Sequence, residues 1–155
     1  MPGFKDDIIK LANLLGITHE DFSDVGIHAW PSIMKKIEAA FVIKVNSNTH
    51  FNYWWDSFKG ARYSISFENG LGYTCLDQLI DNQERIWFVA CGHDKFWLFE
   101  GKVKAIQLII SEHYAFEYYL VSKKYEWLIC ETDHDILVGL GTIIPKMQKL
   151  NPVTK

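Results

Sequence analysis

Arg62 to Glu68 carries the cleanest alternation in the chain, with Tyr63, Ile65 and Phe67 set against Ser64, Ser66 and Glu68. A period of two marks a half-buried strand, and Asn69-Gly70 closes it with turn chemistry. Further along, Ile86 to Cys91 is a nearly continuous apolar run. Phe96 to Phe99 follows across the short GHDK segment, so the two read as a hairpin. Glu100-Gly101 is expected to break the second strand. Phe116 to Val121 and Glu126 to Glu131 make a second hairpin across SKKY, and Ile136 to Leu140 reads as a last strand.

The helical period appears between these runs. Phe4, Ile8, Leu11 and Leu15 fall on one face, with Leu14 beside them and Gly16 placed as a C-cap. Thr18 caps a short turn with Asp21 three residues on. Trp30-Pro31-Ser32 opens a second helix, since proline suits the first turn, and Ile33, Ile37 and Phe41 line its face. Phe41 to Val45 fits either a continuation of this helix or a strand. Thr74 to Ile80, Lys102 to about His113, and Thr142 to Leu150 complete the helices. Pro145 is tolerated only in the first turn of the last one. This order predicts an α+β fold, a mainly antiparallel sheet with helices packed on one face. No repeat or low-complexity linker divides residues 1–155, so one globular domain is expected. Trp87, Phe96, Leu98, Ile106, Ile110, Leu120, Leu128 and Ile136 are the expected core.

Composition narrows the function classes. Of 155 residues, 48% are hydrophobic, enough for a core without disulfide or metal support. The net charge of -3, with no basic run, argues against a nucleic-acid partner. No apolar run reaches the ~20 residues of a membrane span, and MPGFKDDIIK lacks signal-peptide order. Cys75, Cys91 and Cys130 are an odd set without CxxC spacing, which fits a reducing cytoplasm, and Cys91 and Cys130 lie in apolar strand-like runs where buried, inert thiols are expected. The aromatic share of 15% is the one excess, and it serves cores first and binding surfaces second.

Three groups are candidates for chemistry or recognition. His93-Asp94 lies in the first hairpin turn, where an aspartate is expected for its backbone hydrogen bonding alone. Glu131-Thr132-Asp133-His134-Asp135 is richer, because carboxylates beside an imidazole suit a divalent metal or an acid–base pair. Adjacent loop residues seldom converge on one point, however, and zinc-type spacing is absent. A polar turn after a buried strand accounts for the same residues. Tyr53, Trp54 and Trp55, with Phe51, form an aromatic group of the kind that dominates interfaces. Neighbouring Trp54 and Trp55 must point different ways, so at least one belongs to the core. Glu112, His113 and Asp133 could share a cleft, and Glu117 should face away from Phe116 and Tyr118. Gly139-Leu140-Gly141 lacks the rest of a phosphate-binding pattern. No cofactor signature is present, and the six histidines, without an i,i+4 pair, predict no tightly bound transition metal.

The segments WFVACGHDKFWLFEG and EYYLVSKKYEWLICETDHDIL resemble a bacterial domain family of unknown function. Its members carry a similar FWL(Y/F)EG segment, an EYY-type strand leading into SKKYEWL, and a polar tail containing histidine. The resemblance covers Trp87 to Gly141. The family tail has paired histidines where this chain has Asp133-His134, which weakens a two-histidine ligand set. The family implies no particular activity. Small acidic α+β proteins of this kind are similar to the immunity proteins that bacteria encode beside toxins, an analogy at the level of fold. The sequence therefore favours a cytoplasmic binding or interaction module, of the immunity type that blocks a protein partner. The alternative is a small hydrolase or metal-dependent enzyme using Asp133, His134 and Asp135, with His93.

Overall fold

The computed structural model describes residues 3–26, 28–42, 58–67, 71–92, 95–113, 116–132 and 135–150. Among the described residues, seven strands form one sheet in the order β1-β4-β3-β5-β6-β7-β2, and every pairing is antiparallel. They are β1 (Phe22–Asp24), β2 (Arg62–Ser66), β3 (Arg85–Gly92), β4 (Lys95–Lys102), β5 (Glu117–Ser122), β6 (Trp127–Glu131) and β7 (Ile136–Gly141). The helices are α1 (Phe4–Leu14), α2 (Trp30–Phe41), α3 (Leu76–Leu79), α4 (Val103–Glu112) and α5 (Ile144–Leu150), with a 3-10 turn at Leu71–Cys75. This is the α+β architecture expected from the alternation, and both hairpins are present.

Local chemistry explains the element ends. Gly16 has φ +74°; its N–H donates to the Asn13 carbonyl at 3.1 Å, and the Ile17 N–H donates to Ala12 at 3.0 Å. That pair of bonds is a Schellman cap, which satisfies the last carbonyls of α1. Pro31 sits in the first turn of α2. Val42 leaves that helix with extended backbone and bridges to Phe58, so the helix ends at Phe41; the rest of the Phe41–Val45 run lies outside the described residues.

One expectation about strands needs correction, and one strand was not foreseen. Glu100-Gly101 does not break β4, which runs on to Lys102. Gly101 is needed for a close approach instead. A Cβ there would stand 2.6 Å from the Asp21 carbonyl oxygen and 3.0 Å from the Phe22 ring. The neighbour that comes so close is β1, a strand the pattern did not reveal because three residues cannot show a period.

The sheet is buried on both faces. The first face presents Ile86, Phe88, Phe99, Tyr118, Leu120, Ile129 and Leu137 to α1, α3, α4 and α5, whose Ile8, Leu76, Ile106 and Met147 join one cluster. The second presents Val89, Leu98, Tyr119, Val121, Leu128, Cys130 and Val138 to Met34, Ile37 and Phe41 of α2 and to Phe58. The helices thus gather on one face, except that α2 takes the other. Every residue of β5 and β6 is buried, which is why both strands read as dense apolar runs. Of the expected core, Leu98, Ile106, Leu120 and Leu128 are fully inside, whereas Trp87, Phe96, Ile110 and Ile136 are only partly covered.

Candidate functional site

The sequence EYYL at the start of β5 sets up the most unusual chemistry in the fold. Alternation sends Tyr118 to the first face and Glu117 and Tyr119 to the second, as the sequence reading had Glu117 facing away from Tyr118. All three are buried. On the first face, Tyr118 pairs across the strands with Glu131, and its hydroxyl donates to Glu131 Oε1 at 2.6 Å. On the second face, the Tyr119 hydroxyl donates to Glu117 Oε2 at 2.7 Å. The same end of the sheet therefore holds two buried carboxyl–phenol pairs, one on each side.

The environment sets the charge of these groups. Burial pushes the Glu131 carboxyl above its ordinary value of 4.5. The Tyr118 hydrogen bond pulls it back down, the nearby Asp135 charge pushes it up again, and a backbone hydrogen bond from Gly72 lowers it. Burial, then the Glu131 charge, holds the Tyr118 phenol well above its usual range. Tyr119 is raised as well, first by burial and then by Cys130, Cys91 and Glu117. The thiols follow the same logic. Cys75 is pushed up to about 11 by burial, and Cys91 and Cys130 also rise mainly through burial. A thiol kept protonated is a poor nucleophile and a poor metal ligand; of the two thiols expected to be buried, Cys130 is buried and Cys91 is only half-buried.

Glu131 also ties the chain together. Its carboxylate lies under Gly72, where an added Cβ would come within 3.1 Å of Oε2. One carboxyl group thus locks β5, β6 and the Leu71–Cys75 turn against one another. The sequence placed Glu131 at the end of the second hairpin and in the polar cluster that follows it, and gave Glu117 no partner. The i,i+2 spacing of Glu117 and Tyr119 was the available clue for the second pair. The Tyr118–Glu131 pair depends on strand register and leaves no local trace.

The residues singled out from sequence fare unequally. Tyr53, Trp54, Trp55, His93, Asp94, Asp133 and His134 lie outside the described residues, as do Phe51 and the Asn69-Gly70 turn. The strands flanking the last four candidates are placed, however. The registers Cys91↔Glu117, Tyr118↔Glu131 and Glu131↔Leu137 put the inner ends of β3, β5, β6 and β7 at the end holding the carboxyl–phenol pairs. Asp135 is described. It is half-buried with φ +61°, its N–H donates to Thr132 at 3.2 Å, and its carbonyl accepts from Phe67 at 3.0 Å. The half-buried His113 ring packs edge-on against Phe4 and Phe116, each at 5.3 Å, beside an exposed Glu112, and Asp133, the third member of the suggested cleft, lies outside the described residues. Gly139 and Gly141 belong to β7, so that glycine pair is structural. Among the described residues, no group of three His, Cys, Asp or Glu side chains is placed to hold a metal ion. No described helix is long and apolar enough to cross a membrane.

The opposite end of the sheet has a different character. Glu100 accepts from Arg85 Nε at 3.4 Å and forms ion pairs with Arg85 Nη2, at 3.3 Å, and with Lys123. Arg85 also donates to the Glu20 carbonyl, and the Lys123 ammonium sits 4.5 Å over the Trp87 ring. Burial pushes the Glu100 carboxyl up, but Lys123 and then Arg85 outweigh it, and the group lies below its ordinary value. Beside this network lies an open depression of about 570 Å³.

No curated protein and no solved structure matches the chain. A family match does exist, and it extends well beyond the Trp87–Gly141 resemblance, through the N-terminal helices: over residues 1–151 the chain fits the family of unknown function DUF6756, and it belongs to that family.

Proposed function

We propose that this protein is a non-enzymatic cytosolic binding module, of the immunity type that acts by occupying a protein partner. The observation that carries the reading is the fate of its buried reactive groups. Glu117 and Glu131 are each bonded to a tyrosine hydroxyl inside the fold, and burial holds the three thiols protonated. Groups used in this way hold a framework together, and the surface is left to do the work. The mild net charge of -3 and the aromatic surplus agree with a protein-facing role.

One observation favours a second reading. Asp135, the described member of the Asp133, His134 and Asp135 cluster, lies close enough to help raise the Glu131 carboxyl, a carboxylic acid with a shifted pKa. Such shifts accompany catalytic sites as well as structural ones. That arrangement suits a small hydrolase or metal-dependent enzyme.

The two readings are separated by co-expressing the chain with the product of the gene beside its own. A stoichiometric complex that survives gel filtration, with the partner's activity suppressed, is the expected result. Turnover of chromogenic esters, phosphoesters or peptides by the purified chain, lost in His134→Ala, would put the enzyme reading first.

A further inference from the structure

Glu131 is buried, and among the described residues no cation lies within ion-pair distance of it. The described groups that face it are neutral or acidic. Tyr118 donates to it from β5, and the Gly72 backbone hydrogen-bonds to it from the Leu71–Cys75 turn. Cys75 of the same turn lies close, and Asp135 faces it from the link between β6 and β7. Cys130, its neighbour on β6, packs on the other face. Asp77 of α3 lies beyond Cys75 and is paired with Lys104 at 3.1 Å. An ionised carboxyl here therefore has two hydrogen bonds and no counter-charge, which is a costly state for a buried charge.

The elements around the carboxyl are not equally firm. β6 is paired on both sides and buried along its whole length. The Leu71–Cys75 turn only rests on the sheet, with Gly72 so close that a Cβ there would stand 3.1 Å from Glu131 Oε2. Two of its bonds are internal and survive if it moves as a unit: Thr74 Oγ1 donates to the Leu71 carbonyl at 2.6 Å, and Cys75 Sγ to the Gly72 carbonyl at 3.2 Å. Gln107 Nε2 ties it to α4, donating to the Tyr73 carbonyl at 2.9 Å. A segment with few such ties opens locally before the whole fold does.

We propose that Glu131 is a proton-operated latch on this turn: protonated, the carboxyl keeps the turn seated on β5 and β6, and deprotonation favours a form in which the turn has lifted and water reaches the carboxylate. Lifting uncovers Cys75 and the Tyr118 hydroxyl, both buried in the closed form. The latch belongs to the framework and does not depend on what the surface binds. Its sign follows from linkage. The closed form holds the proton above the ordinary value of 4.5, and exposure to water restores that value. Closure is thus fully favoured below the ordinary value and loses ground as pH rises through the closed one.

Hydrogen exchange of the full chain, read by mass spectrometry and corrected for intrinsic rates, tests this over about pH 4 to 8. Protection of the Leu71–Cys75 amides should be flat at the acid end, fall by up to about tenfold per pH unit, and then level off. β5 and β6 should stay protected throughout. Glu131→Gln, which cannot ionise, should hold the turn's protection level across the range. Two further variants move the fall in opposite directions. Tyr118→Phe removes a donor that favours the ionised carboxyl, so the fall shifts to higher pH. Asp135→Asn removes a repelling charge, and asparagine accepts the positive φ there, so the fall shifts to lower pH. If Glu131→Gln does not fold, these two shifts decide the matter. Flat protection in the unmodified chain overturns the proposal. So does a fall that Glu131→Gln retains, a fall shared equally by β5 and β6, or shifts that are absent or run the same way.

Discussion

Glu131 and Glu100 are both strand glutamates of one sheet, and the fold treats them in opposite ways. Glu131 lies inside, bonded to a phenol, and burial raises its pKa. Glu100 lies at the other end between a guanidinium and an ammonium, and those charges overcome burial and lower its pKa. The difference is the partner's ability to supply charge. A tyrosine hydroxyl gives one hydrogen bond and no counter-charge, so a desolvated carboxyl beside it favours its neutral form. A pair of cations gives both, and the ionised form wins. One end of the molecule is therefore a buried, hydrogen-bonded framework, and the other a solvent-facing charge network.

The strongest contrast comes from neither end but from the strip between them. Leu128 is fully buried on the second face, among Val121, Cys130 and Leu140. Leu128→Ala should cost about 2–5 kcal/mol in urea unfolding, since it removes buried methyl groups and leaves a cavity. A loss below about 1 kcal/mol, the scale of surface changes, would show that the second face is not packed as described.

At the buried end, Glu131→Ala removes the acceptor for Tyr118 and leaves a buried hydroxyl unmatched. The expected loss is about 1–3 kcal/mol, the usual penalty for stranding a buried polar group. The pH profile sharpens this. With a folded pKa above 4.5, the native state holds the Glu131 proton more tightly than the unfolded chain does. This contribution is fully present below the unfolded value and is lost as pH rises through the folded one. Glu131→Gln, neutral at every pH, should flatten that fall in stability above pH 4.5. Unchanged slopes in the two proteins would mean that folding does not raise the Glu131 pKa.

These two glutamates also mark how far the chain could be read in advance. Period-two and helical patterns located both hairpins, β2 and β7, and the long helices, because burial on a regular element leaves a repeating trace. Leu120 and Leu128 followed directly. Trp87, Phe96 and Ile136 were expected inside but are only partly covered, since they point to the second face, where α2 is the only described helix. No sequence rule distributes helices between the two faces of a sheet. β1 was too short to show a period, and Gly101 looked like a break because its close neighbour was not visible. Glu131 looked like a surface acid because its partner lies 13 residues away and meets it only through register. Asp133, His134 and the aromatic group around Trp54 were legible as residue types, but their roles depend on convergence, which spacing alone does not specify.

The smallest effect should come from the charged end. Glu100→Gln removes the shared partner of Arg85 and Lys123, whose side chains are partly exposed at 31% and 37%. Water and salt screen such pairs, so the loss should be only about 0–1 kcal/mol. The pH sign is the reverse of that for Glu131. A carboxyl held below 4.5 stabilises the fold above the unfolded value, and that contribution is lost as pH falls through the folded value. Raising salt should shrink the difference between Glu100→Gln and the unmodified chain toward zero, while leaving the Glu131→Ala deficit nearly intact, because buried hydrogen bonds are screened much less. Thermal melts of both variants at low and high salt make the comparison. If the Glu100 deficit proves the larger of the two and resists salt, the charge network is the buried framework and the contrast between the ends is inverted.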